Sequence, residues 1–150
     1  MKVPPRLPGA LALAAIGALP LVAERLRAPV ERCAMDGVKV ARPFRVRVVA
    51  DDGGARAFCG VTCAEAWLRS SGVAPREILV TDGATGREID AAAAWFVRTV
   101  ANRSDGAPDA VRVFAGREDA ERHAEAYGGT VLSGANRPFG GGKARAARDS

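Results

Sequence analysis

Phe44-Arg-Val-Arg-Val-Val-Ala50 alternates apolar and basic residues, and Asp51-Asp-Gly-Gly54 follows it directly. A two-residue period puts every second side chain on one face, so the first stretch reads as a half-buried strand and the second as a hairpin turn. Ala55–Cys59 is then the returning strand. Thr62 stands where a helix cap is wanted, with Glu65 at capping-box distance. The helix predicted from there runs to about Ser70, with Gly72 just past its end. Glu77-Ile-Leu-Val-Thr81 is the next strand, which completes a strand–strand–helix–strand unit.

Downstream the same order returns. Asp82-Gly-Ala-Thr-Gly86 is a turn, Glu88–Asp90 begins a short element, and Asp90 can cap the residues after it. Trp95–Ala101 reads as a strand, Asn102–Asp109 as a loop, Val111–Ala115 as an alternating strand and Arg117–Tyr127 as a helix. Gly128-Gly129 ends that helix, and Thr130–Leu132 closes the sheet. Trp95, Phe96 and Tyr127 are candidate core residues. The chain is therefore expected to be α+β, with two small strand–strand–helix–strand units built on mixed sheets. The halves cover about 33–81 and 82–134, after a polar linker over 24–32 and before a flexible basic tail over 135–150.

At 150 residues, 48% apolar and 26% charged, the composition is that of an ordinary globular chain. The net charge of +5 lies at the ends, because residues 24–135 carry 16 basic and 16 acidic side chains. A neutral body lacks the positive stripe that binds nucleic acid, so no nucleic-acid partner is expected. Lys2 and Arg6 precede an apolar run from Leu7 to Ala23, the order of a signal peptide. Left uncut, those 17 residues would make a helix of roughly 25 Å, the lower limit for a membrane anchor. Either outcome places the body in the periplasm or on the extracytoplasmic face of the inner membrane.

Four sulfur-bearing residues fall in two clusters, Cys33 with Met35 and Cys59 with Cys63, and the remaining methionine is Met1. Thiolate and thioether donors select Cu(I) above most biological metals, with zinc on the three thiolates as the alternative. Cys59 ends a strand, Gly60 permits a turn, and Cys63 falls in the first helical turn, where the helix dipole favours a thiolate. Two other readings stay open: a Cys and a Met filling a gap under a loop, and a Cys59–Cys63 disulfide. His123, the only histidine, sits among charged residues and reads as solvated.

Cys33-Ala-Met35, Val80-Thr-Asp82, Ile89-Asp-Ala91, Ala94-Trp-Phe-Val97, Val113-Phe-Ala115 and Gly128-Gly129 together resemble the NosL family, accessory proteins of nitrous oxide reductase maturation. The resemblance runs from about Cys33 to Leu132. It implies a Cu(I)-binding metallochaperone of the cell envelope with two small related αβ units, a fold shared with organomercurial lyase. The family's Cys-Gly-Met motif falls on Cys33 and Met35, with Ala34 in place of glycine. Val30 stands where members often carry a further Cys, and no lipobox precedes Cys33. Phe58-Cys59-x-x-x-Cys63 is not a general feature of the family.

The metal ligands expected from the residues and the resemblance together are Cys33, Met35, Cys59 and Cys63, with a copper-donor or copper-acceptor protein as partner. The alternative function is a thiol-dependent lyase or reductase using Cys59 and Cys63, with Asp36 or Asp82 as its acid. A disulfide-stabilised envelope interaction domain is a third.

Overall fold

Val46 and Val48 are each 1% exposed while Arg47 between them is half-buried, which is the alternation read from the sequence. A computed structural model of the chain describes residues 30–99 and 110–140. The expected signal peptide or anchor over 1–23, the Asn102–Asp109 loop and the end of the tail after 140 lie outside them, as does most of the linker. Strand β1 is Val46–Ala50 and β2 is Ala55–Phe58. The turn between them is closed by the Gly53 N–H on Ala50 O and the Ala50 N–H on Gly54 O, with Gly53 at φ +82°. A positive φ costs a glycine little, so this residue suits the turn.

Helix α1, Val61–Ser71, follows β2 and leads to β3, Pro75–Thr81, and β4, Glu88–Asp90. These strands form a sheet in the order β2-β1-β3-β4. Register places Phe58, Val46, Val80 and Ile89 in one row across it. The first three are at most 1% exposed, so that row is the floor of the core.

The second sheet contains β5, Trp95–Arg98, β6, Val111–Phe114, and β7, Thr130–Leu132, with helix α2, Arg117–Ala126, between the last two. Its order is β6-β5-β7. Stripped of β4, the first sheet has the same order, with the first strand of each unit in the middle. The strand–strand–helix–strand pattern thus stands in both halves. Among the described residues every strand pair is antiparallel, so the expected mixed sheets are corrected: each helix returns the chain to the far side of the central strand, where it pairs antiparallel. Phe96, Val111, Val113 and Leu132 of the second sheet share one buried cluster with Val46, Phe58 and Val80 of the first. Burying large apolar side chains in this way is the main favourable term in folding.

Local differences have physical causes. Gly60, in extended backbone, is the N-cap of α1, and Thr62 lies inside the helix. Glu65 makes no capping box; its carboxylate accepts the Phe139 N–H at 3.2 Å. Residues 134–140 are therefore not a loose tail. A short 3-10 turn over Gly134–Asn136 leads to Arg137, whose guanidinium donates to the carbonyls of Ala91, Ala92 and Ala94. Asp90 caps a turn, with the Ala92 N–H on its carboxylate, and no helix follows. Tyr127 is 56% exposed at the end of α2, so it is not core.

Gly128 takes φ +62° to end α2, and Gly129 then passes close to β5. A Cβ on Gly129 would lie 2.9 Å from Arg98 O and 3.1 Å from Val97 Cγ1. Backbone cannot yield as a side-chain tip can, so Gly129→Ala is expected to destabilise the fold by about 1–3 kcal/mol. Thermal unfolding followed by circular dichroism measures it, and an unchanged midpoint would contradict the close packing.

Candidate metal centre

Arg32 and Lys39 pair as an antiparallel bridge, and the chain between them folds back on itself. The Cys33 N–H donates to Val38 O and the Gly37 N–H to Cys33 O, at 2.8 and 2.9 Å, with Gly37 at φ +74°. The Ala34 N–H then bonds Ala57 O at 2.8 Å, which lays this small hairpin along β2. Cys59 lies one residue beyond β2, and Cys63 is the third residue of α1. The strand end, the helix start and the added hairpin meet at one point.

Cys33, Asp36, Cys59 and Cys63 each offer an atom there, and these four atoms lie within 4.8 Å of one another. Cys59 Sγ and Cys63 Sγ are 3.4 Å apart, and Asp36 Oδ2 is 3.7 and 3.5 Å from them. Cys33 and Cys59 are each 3% exposed, Cys63 is half-buried, and Asp36 is exposed at the rim. Met35, on the same hairpin, is 48% exposed. All three cysteines are free thiols. His123 is elsewhere, packed between the rings of Phe114 and Tyr127.

Burial, then hydrogen bonding with Cys63 and Cys33, raises the Cys59 thiol far above its ordinary value. Burial likewise pushes Cys63 up to about 11, although its hydrogen bond with Cys59 works the other way. This corrects the expected thiolate at the helix start: desolvation outweighs the dipole. Asp36 moves in the opposite sense, held below the usual carboxylate range chiefly by the Cys33 thiol, then by the Val38 N–H.

A soft ion entering this cluster must displace thiol protons, because the thiolate is the ligand form. Both thiols titrate above neutrality, so the apparent affinity is expected to rise through the neutral range. The slope is about tenfold per pH unit for each proton displaced. Competition titrations at two pH values measure it, and a flat response would contradict thiol ligation.

Asp36 is the member that sequence reading did not place among the ligands. Its signal was the Cys-x-x-Asp-Gly spacing over residues 33–37, in which the glycine turns the chain so that the carboxylate faces the first cysteine.

The sequence matches no protein-family model, and no curated protein matches it. Among solved structures, the chain is similar to the copper chaperone NosL from Shewanella denitrificans. The TM-score is 0.61 at 19% identity, over 70% of this chain and 87% of that one, which establishes a common fold.

Proposed function

We propose that the chain is a Cu(I)-binding metallochaperone of the cell envelope, an accessory protein and not an enzyme. The convergence of three cysteine Sγ atoms within 4.8 Å carries this reading. Soft donors of this kind select Cu(I), and two or three of them leave a position open for an acceptor's ligand. Cys33 and Cys59 form the buried floor of the centre, and Cys63 is its accessible side. Met35, two residues from Cys33 and half exposed, is a thioether on the same hairpin that is free to meet an incoming or departing ion. The likeness to a copper chaperone in fold, and the charged-then-apolar order of residues 1–23, support the same assignment. The partner is a copper donor or acceptor, with a copper enzyme such as nitrous oxide reductase as the client.

Anaerobic titration of the reduced full chain with Cu(I) tests this. One equivalent should bind tightly, and Met35→Leu should weaken it by about tenfold, less than loss of a cysteine, since a thioether is a neutral donor. Absence of tight binding would overturn the proposal. The carboxylate beside two thiols also suits the alternative of a thiol-dependent lyase or reductase. Turnover of an organomercurial or a disulfide, lost in Cys59→Ser, is the outcome that would move the assignment there.

A further inference from the structure

We propose that the same centre also takes a divalent cation of zinc's class, and that Asp36 is the residue that gives it this second specificity. The inference uses the residues of the Cu(I) reading but rests on a different observation, the spacing of three of the donor atoms, Cys59 Sγ, Cys63 Sγ and Asp36 Oδ2, with Cys33 Sγ within 4.8 Å of them. A tetrahedral ion with metal–sulfur bonds of about 2.3 Å and a metal–oxygen bond of about 2.1 Å needs S···S edges of about 3.8 Å and S···O edges of about 3.6 Å. The observed separations are 3.4 Å for Cys59 Sγ to Cys63 Sγ, and 3.7 and 3.5 Å from those atoms to Asp36 Oδ2. Two sulfurs holding an ion in a straight line would stand about 4.6 Å apart at the same bond length. The Cys59–Cys63 pair is closer to the four-coordinate spacing than to the linear one.

The carboxylate is oriented for this role. Its Oδ1 accepts the Val38 N–H at 3.1 Å, which leaves Oδ2 turned to the sulfurs. A ligand fixed by a backbone bond on its other oxygen is the usual support of a metal-binding carboxylate. Softness then separates the two ions. A carboxylate oxygen is a good fourth ligand for zinc and contributes little to Cu(I), which is satisfied by sulfur. Four anionic donors also suit a double positive charge better than a single one.

The test is competition with a chromophoric chelator on the reduced full chain, run separately with Zn(II) and, anaerobically, with Cu(I). Asp36→Asn keeps an oxygen for the Val38 N–H and removes the charge. Asp36→Cys restores an anionic donor. Asp36 is exposed, so both variants should fold, and circular dichroism checks that they do. Asp36→Asn should weaken zinc by about 100-fold and Cu(I) by less than about threefold, and Asp36→Cys should recover zinc binding.

Wild-type protein that takes no zinc, zinc affinity unchanged in Asp36→Asn, or an equal loss of both ions would overturn the inference. The last of these would show a structural role only. Protein that binds zinc through Asp36 but not Cu(I) would uphold it while overturning the copper-carrier reading.

Discussion

Cys59→Ser should lower Cu(I) affinity by at least about 100-fold, more than the usual cost of removing a residue that only supports a ligand. Cys59 sits at the middle of the centre, with its Sγ 3.4 Å from Cys63 and 3.7 Å from Asp36, and its side chain is almost wholly buried. Serine preserves the shape but replaces a soft sulfur with a hard oxygen that stays protonated, and Cu(I) gains little from it. Cys33 and Cys63 then remain as a two-sulfur pair without their shared neighbour. A chelator-competition titration reads the loss directly. Affinity within threefold of wild type would show that Cys59 is a buried structural thiol and not a ligand.

Asp82→Ala should be the most damaging change outside the metal centre. Asp82 is 2% exposed, and its carboxylate accepts from the N–H groups of Ala84 and Thr85, the Thr85 hydroxyl and the N–H of Ala115. Ala115 lies between β6 and α2, so this one side chain ties the β3–β4 turn to the second sheet. Alanine removes four part-buried hydrogen bonds to a charged carboxylate, each worth about 1.5–3 kcal/mol and not additive in full. A total of about 3–5 kcal/mol is expected, which for a domain of this size lowers Tm by on the order of 15 °C.

The pH dependence has a definite sign. Burial alone would raise the Asp82 carboxyl, but the four hydrogen bonds, that from the Thr85 hydroxyl foremost, outweigh it and hold the group below its ordinary value of 3.8. Its contribution is therefore full above that value and is lost as the pH falls through the lower folded-state value. Thermal unfolding near neutrality should show a large difference between wild type and variant, and the difference should shrink in acid below that value. A Tm shift under about 3 °C at neutral pH would contradict the role given to Asp82.

The two sheets were legible because their signals are local. Val46 and Val48 alternate with arginines, Gly72 and Gly128 stand at left-handed helix ends, and Asp82 to Gly86 carries the composition of a turn. What escaped was set by contacts across long stretches of chain. Glu65 has capping-box spacing, yet it binds the Phe139 N–H 74 residues on, and nothing near Glu65 announces that. The stretch from Gly134 to Gly140 looks loose by composition, but the three carbonyls awaiting Arg137 lie more than 40 residues upstream.

The metal centre divides in the same way. The sulfurs could be found by residue type, but their meeting depends on the Ala34–Ala57 bond that lays the Cys33 hairpin along β2. The protonation of Cys63 was misread because burial, which opposes the helix dipole, cannot be counted before the fold is known.

X-ray absorption at the copper edge of the Cu(I)-loaded, reduced full chain tests the central claim most directly. Two or three sulfur neighbours at about 2.3 Å are expected, with the count falling by one in Cys59→Ser. A first shell dominated by nitrogen or oxygen, or a sulfur count that Cys59→Ser leaves unchanged, would contradict it.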